Sequence, residues 1–292
     1  MEHHSKEMGW LYMKFIVTGS GGCVSLPKPL CQCKVCREAR EKGKPYSRFG
    51  CSLYLDDLKL LVDTPEDITH ALNYSDIKEI NNVLFSHMDP DHTLGMRVFE
   101  QLRLNWLNIS TGKECTNPIN VYALDNVMDD INSIRSKYGP YLDYYEKVRN
   151  LIKRHKVKDS IAIEGIKITF VSAGRATVFV FEQGCKKVIY APCDVKPFPV
   201  NDIFKNANYM IIGNTVVGKV LKDGFVLTDD NSMAKELFSM DEIVELKNLY
   251  NIEKVAITHL EEDWGKSYGD YLKMQEQYNN IVFSYDGMII EV

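Results

Sequence analysis

The chain has 292 residues, 45% hydrophobic and 26% charged, enough apolar material for a sizeable core and the wrong composition for a disordered protein. Its formal net charge of −5 excludes a broad basic field for nucleic acid, and no apolar run reaches the length of a membrane span. Residues 1–13 are polar, lack the apolar stretch of a secretion signal and are expected to form a disordered leader. Residues 14–292 are expected to fold as a single domain in the cytoplasm.

Lys14–Thr18 is a short β-rich run, and Gly19-Ser20-Gly21-Gly22 after it reads as a tight turn with positive φ. It is not a phosphate loop, because no helical pattern follows. Eight cysteines occur. Three of them sit in Cys31-x-Cys33-x-x-Cys36, and clustered thiols in a reducing compartment point to metal rather than disulfides. Three thiolates at this spacing fill three corners of a tetrahedral zinc site, so a fourth ligand must come from elsewhere. Ser52–Asp57 and Leu58–Asp63 read as a β-hairpin. Pro65–Leu72 reads as a helix with Pro at its first position, carrying an exposed His70. Ser75–Ile80 is expected to be a second short helix.

The stretch Val83–Met96 dominates the rest. An apolar strand, Val83-Leu84-Phe85, ends in Ser86-His87, and Asp89, Asp91 and His92 follow within five residues. Apolar residues then resume at helical spacing (Leu94, Val98, Leu102), which predicts a helix over Thr93–Trp106. Two His and two Asp on a strand-to-helix loop can converge on one ion, and loops at strand ends are where α/β proteins place their chemistry.

Ile119–Leu124 is expected to be a strand, and Asp125–Val157 mostly helical with a break at Gly139-Pro140. Its tyrosines (Tyr138, Tyr141, Tyr144, Tyr145) read as a packing stripe. Its basic run from Lys147 to Lys156 reads as a solvated face that can receive an anionic group. Ser160–Val171, Ala176–Gln183 and Lys187–Ala191 are strands. The last ends in Pro192-Cys193-Asp194, with Cys193 either a buried thiol or a reactive one. Tyr209–Gly213 is a buried strand running into Asn214, and Lys219–Asp230 reads as a loop or hairpin. Ser239 and Glu242 form a capping box for a helix to Tyr250. Lys254–Thr258 is a strand that delivers His259.

These motifs carry a family resemblance. His87-x-Asp89-x-Asp91-His92, with Gly95 after it, resembles the His-x-His-x-Asp-His signature of the metallo-β-lactamase fold superfamily, Asp89 standing at the second His. The cysteine motif and Arg48-Phe49-Gly50-Cys51-Ser52 are similar to one branch of it. That branch holds the cyclic phosphate phosphodiesterases of the phosphonate (C–P lyase) pathway, and the B protein of pyrroloquinoline quinone biosynthesis is a further relative. Thr258-His259 and Tyr285-Asp286-Gly287-Met288 also match.

The resemblance implies a four-layer αββα sandwich with the cysteine knuckle after the first strand. It implies one metal position built from Asp91, His92, Asp194 and His259, and another from His87, Asp89 and Asp194, with Asp194 bridging and Asp63 supporting from behind. It puts Glu262 where the knuckle's fourth ligand, a His, usually stands, with Cys51, Cys23 or water as alternatives. It expects a further metal-binding His near Ser172, where this chain has none, and a catalytic His at Asn214. Three His and three carboxylates form a hard donor set, favouring manganese or iron without excluding zinc.

The function implied is a metal-dependent hydrolase, a phosphodiesterase of a small cyclic or nucleotide-like phosphate ester. Asp89 or Asp91 would orient the metal-activated water. The cofactors expected are one or two active-site divalent ions (Mn, Fe or Zn) and a structural zinc. The partner expected is a small anionic substrate, with neither nucleic acid nor membrane, and a homodimer is left open. The alternatives are a mononuclear iron redox enzyme using His92, His259 and a carboxylate, and a non-catalytic binding member of the fold.

Overall fold

The computed structural model describes residues 12–292. The reading of residues 1–11 as a leader lies outside it. Met13, placed at the leader's end, is instead wholly buried, and its backbone exchanges two hydrogen bonds of 3.1 Å with Val292.

Two seven-stranded sheets form the centre. In order across the first lie Ile289–Glu291, Lys14–Gly19, Ser52–Leu55, Leu60–Val62, Asn82–Leu84, Ile119–Leu124 and Ile152–Val157. The second runs Ile281–Phe283, Lys254–Ile257, Tyr209–Ile212, Lys186–Ala191, Ala176–Gln183, Ile166–Ala173 and Ser160–Ile163. Phe15, Val17, Leu53 and Leu55 of the first sheet share one core with Phe179, Phe181, Tyr190 and Ile211 of the second. Helical residues Ile68, Phe99 and Val127 join that core, and a separate core packs the second sheet against the helices Met240–Leu249 and Tyr268–Gln275. The result is the expected αββα sandwich. Among the described residues no helix is long and apolar enough to cross a membrane.

One topological feature positions the site. Each sheet contains four consecutive parallel strands: Leu60–Val62 through Ile152–Val157 in the first, Lys186–Ala191 through Ile281–Phe283 in the second. Asp63, His87, Asp194, Asn214 and His259 each lie within three residues past the C-terminal end of one of these strands. This is where open α/β sheets expose chain ends to a crevice.

Several local expectations change. The Gly19–Gly22 run contains no positive φ; a Cβ at Gly19 would lie 1.8 Å from Gly50 O, and one at Gly22 would lie 2.1 Å from the Glu261 carboxylate. Close approach, not a left-handed turn, requires these glycines. The helix expected over Thr93–Trp106 is broken into Pro90–Thr93, a tight turn Leu94–Arg97 and Val98–Arg103. Of Leu94, Val98 and Leu102 only Val98 is buried, because the tight turn breaks the 3.6-residue register.

Ser75–Ile80 is not helical, and the helix after Pro65 starts at Ile68. The expected strand Ser160–Val171 is two strands joined at Glu164-Gly165, both at positive φ. Asp125–Val157 is helical only at Asp125–Ile131 and in short turns after Gly139, and Ile152–Val157 is an edge strand. Its polar residues suit a strand with a single neighbour. Arg154 pairs with Asp143 and Glu146, His155 stacks on Tyr122 and Lys156 pairs with Asp129, so internal partners occupy much of this basic run.

Candidate metal centre

Three imidazoles meet where the parallel strand ends of the two sheets face each other. His87 comes from the first sheet, His92 from the helical turn after it and His259 from the second sheet. They are 2%, 0% and 4% exposed, so the rings themselves are shielded from bulk water.

Each ring is held by its Nδ1. His92 Nδ1 donates to Asp63 Oδ2 at 2.8 Å. Ser86 Oγ donates to the same oxygen at 2.6 Å, which leaves it to accept from His87 Nδ1 at 2.8 Å. His259 Nδ1 lies 3.2 Å from Glu261 Oε1. With Nδ1 of each ring committed to these partners, Nε2 is the atom left to face the cleft. Asp63 thereby orients two histidines, as the resemblance implied for it. Glu261 was not singled out in the sequence; its place two residues after His259 was the available signal.

The inward atoms are close. His92 Nε2 and His259 Nε2 are 3.4 Å apart, and Asp91 Oδ2 is 3.4 and 3.3 Å from them. Three donors at tetrahedral corners around an ion, with bonds of 2.0–2.1 Å, are separated by about 3.3 Å. His87 Nε2 is buried with no hydrogen-bond partner. Such an atom needs a proton donor or a cation. The residues present therefore fit a divalent ion.

The local field points the same way. Burial works against a charge on His92 and His259. The Asp63 carboxylate overrides it for His92, and the Cys193 sulfur and Asp91 for His259, so both rings hold protons well above the usual histidine range. Burial likewise opposes ionisation of Asp91, but His259 and His92 keep its carboxyl well below the ordinary carboxylate range. A field that retains protons at these nitrogens also attracts a metal cation.

The structure divides the expected ligands differently. Asp91, His92 and His259 form one group with all donor atoms within 4.8 Å of one another, and His87, Asp89 and Asp194 form a second. Asp194 does not join the first group, so the side chains do not show it as a bridge. Between the halves stands Cys193, whose Sγ forms a third such group with His87 and His92. Ser172, the expected replacement for the missing His, is exposed on its strand with Oγ toward Gly174 O. Asn214 supports the Cys193-Asp194 turn: its Oδ1 accepts from Asp194 N at 3.2 Å and its Nδ2 donates to Glu236 O at 2.8 Å.

Asp63, Asp194, Asn214 and His259 all have φ between 51° and 64°. Left-handed backbone at four non-glycine strand ends is costly and concentrates at functional sites. Gly213 allows the strand ends to close up: a Cβ there would lie 1.7 Å from Pro192 O and 2.7 Å from His259 Cβ.

A second group lies close by in sequence. Glu262 Oε1 is 3.5, 3.0 and 3.4 Å from the sulfurs of Cys31, Cys33 and Cys36. Sulfur and oxygen ligands at tetrahedral corners of zinc are about 3.6 Å apart, so the set fits. Cys51 and Cys23 are not in this group; Cys51 is buried beside Tyr190 and Thr258, and Cys23 groups with His259 and Glu261. Lys222 Nζ donates to both Glu262 oxygens at 2.7 and 2.9 Å. Burial alone would raise the Glu262 pKa, but the Cys33 thiol and Lys222 bring it down to about 2.

No protein-family model matches the sequence, and no curated protein is significantly similar to it. Solved structures are similar over their whole length. The crystal structure of a diphosphatase from the PhnP family aligns at 17% identity and TM-score 0.67, over 97% of this chain and 98% of that one. Zinc-bound PqqB from Methylobacterium extorquens aligns at 17% identity and TM-score 0.72, over 96% of this chain and 100% of that one. The metallo-β-lactamase fold protein YhfI from Bacillus subtilis aligns at 15% identity and TM-score 0.64, over 97% of this chain and 100% of that one. The chain has the metallo-β-lactamase fold.

Proposed function

We propose that this chain is a metal-dependent hydrolase acting on a small phosphate ester, with a phosphodiester as the substrate class. The observation that carries the reading is the set of three buried imidazoles, each pinned through Nδ1 and each aiming Nε2 at a point shared with carboxylates. Asp91, His92 and His259 would hold one divalent ion, and His87, Asp89 and Asp194 a second. A divalent ion held there acidifies water and neutralises charge on a substrate oxygen.

The chain's own groups do the rest. Asp89 is half exposed and Asp194 exposed, so their oxygens stand where a substrate would enter and can hold a water proton. Asp63 and Glu261 keep the rings from turning. The diphosphatase of the PhnP family shares the fold over nearly the full chain, which supports a phosphorus ester. The net charge of −5 and the internal pairing of Arg154 and Lys156 support a small substrate rather than a nucleic acid. The structural zinc would sit at Cys31, Cys33, Cys36 and Glu262.

A second reading rests on one specific observation. His92, His259 and Asp91 are two imidazoles and one carboxylate converging on one point, the donor set of mononuclear iron oxygen chemistry. The test is turnover of bis(p-nitrophenyl) phosphate by protein reconstituted with manganese, zinc or iron(II), alongside oxygen uptake by the iron form. Phosphodiester turnover that needs an added ion supports the hydrolase. Oxygen uptake without hydrolysis by any metal form overturns it in favour of the redox enzyme.

A further inference from the structure

We propose that the sulfur of Cys193 is itself a metal ligand, filling the place between the two halves of the cleft. This rests on the reading of the cleft as a metal centre and adds a soft donor to it.

Cys193 is 9% exposed, and its Sγ lies within 4.8 Å of ligand atoms of both His87 and His92. A buried thiol alone means little. Here the neighbouring His87 Nε2 is buried, grouped with the same sulfur and without a hydrogen-bond partner, the nearest Asp89 oxygen lying 3.8 Å away. An ion bound between them satisfies both atoms. The backbone presents the thiol deliberately: Asp194 holds positive φ, and Asn214 Oδ1 takes the Asp194 N–H while lying 3.9 Å from Cys193 Sγ. The chain has no histidine between His155 and His259, so the intervening strands supply no further imidazole to this space. Sulfur at the strand end takes that part.

Binding breaks the S–H bond, forms a metal–sulfur bond and releases the proton to water. It also changes the metal preference. Without Cys193 the six donors are imidazoles and carboxylates, which suit manganese. One thiolate among them moves the preference toward zinc, iron(II) and cobalt(II). The exposed carboxylates of Asp89 and Asp194 remain the harder, more open side.

The test uses full-length protein loaded with cobalt(II), comparing the wild type with Cys193→Ser and Cys193→Asp. Knuckle thiolates are the same in all three, so their absorption cancels in difference spectra. The expected result is that Cys193→Ser loses sulfur-to-cobalt charge-transfer absorption in the near ultraviolet. It should also bind the cleft ion about 10- to 100-fold more weakly. Cys193→Asp should restore affinity but not the absorption. In crystals of the wild-type cobalt form, a metal–sulfur separation of about 2.3 Å at Cys193 supports the same conclusion without any variant. A cleft ion bound with equal affinity and spectrum in all three, with Cys193 outside its coordination sphere, overturns this inference and leaves the metal centre standing. Wild-type protein that takes cobalt only in the knuckle overturns both.

Discussion

The cleft and the cysteine knuckle are two ways of arranging ligands, and they come within three residues of each other in sequence. His259 belongs to the cleft, Glu261 holds it, and Glu262 belongs to the knuckle. In the knuckle three ligands come from six consecutive residues, and Lys222 covers the fourth. Its four donors face a common centre with Lys222 against one side, which suits the closed arrangement of a structural zinc site. In the cleft four donors come from the His87–His92 loop of the first sheet, and Asp194 and His259 come from two strand ends of the second. The histidines are buried while Asp89 and Asp194 stay open, and four residues of the cleft, two ligands and two supports, adopt strained backbone. Closure serves stability, and an open side with stored strain serves chemistry.

Breaking each region separately sharpens this contrast. The largest effect is expected for Asp91→Ala, which removes the carboxylate lying between His92 and His259. Phosphodiester hydrolysis should fall about 100- to 1000-fold, by analogy with loss of one group that stabilises developing charge. The melting temperature should stay near that of the wild type. Equal loss of folding would mean the cleft is a structural site like the knuckle.

Cys33→Ser should do the reverse. Loss of the knuckle zinc is expected to cost several kcal/mol and lower the Tm by about 5–10 °C, while metal in the cleft is retained. Calorimetry with metal analysis checks this, and cleft metal lost together with knuckle zinc would show that the two sites do not act separately.

Asp63→Asn keeps the shape but cannot accept from both His92 and Ser86 as a carboxylate does. Affinity for the cleft ion should weaken about tenfold, at the low end of the range for groups that orient ligands, with no change at the knuckle. Isothermal titration of the chelated protein measures it.

The smallest effect concerns pH. Lys222 Nζ donates to both Glu262 oxygens and favours the ionised carboxylate, so the stabilising contribution of Glu262 is present above its unfolded pKa and is lost as pH falls below it. Lys222→Met removes a lowering influence. Acid release of knuckle zinc should then begin at a higher pH than in the wild type, followed with a zinc-sensitive dye. An unchanged release curve would remove Lys222 from the knuckle.

The same contrast explains what could be read before the fold was known. The knuckle is local, so its spacing alone pointed to zinc. The strand ends at His87, Asp194 and His259 were legible because apolar runs stop at them. Cys193 was noticed only as a thiol, because no local pattern tells that its sulfur meets two histidines from the other sheet. Glu261 was invisible for a similar reason, since a carboxylate two residues past a histidine has many ordinary roles. The helix expected at Thr93–Trp106 failed because its apolar spacing was interrupted by a tight turn, where Gly95 N–H donates to Thr64 O at 2.8 Å. The basic run of Lys147–Lys156 looked helical because an edge strand can be as polar as a helix face.

The most direct test of the account is a metal count on anaerobically purified protein, wild type beside His92→Ala. The account predicts one zinc per chain that survives the substitution, plus one or two further ions that disappear with it. A single zinc per chain in both proteins would contradict it, leaving the knuckle as the only metal site and the cleft without the ion its histidines are arranged to hold.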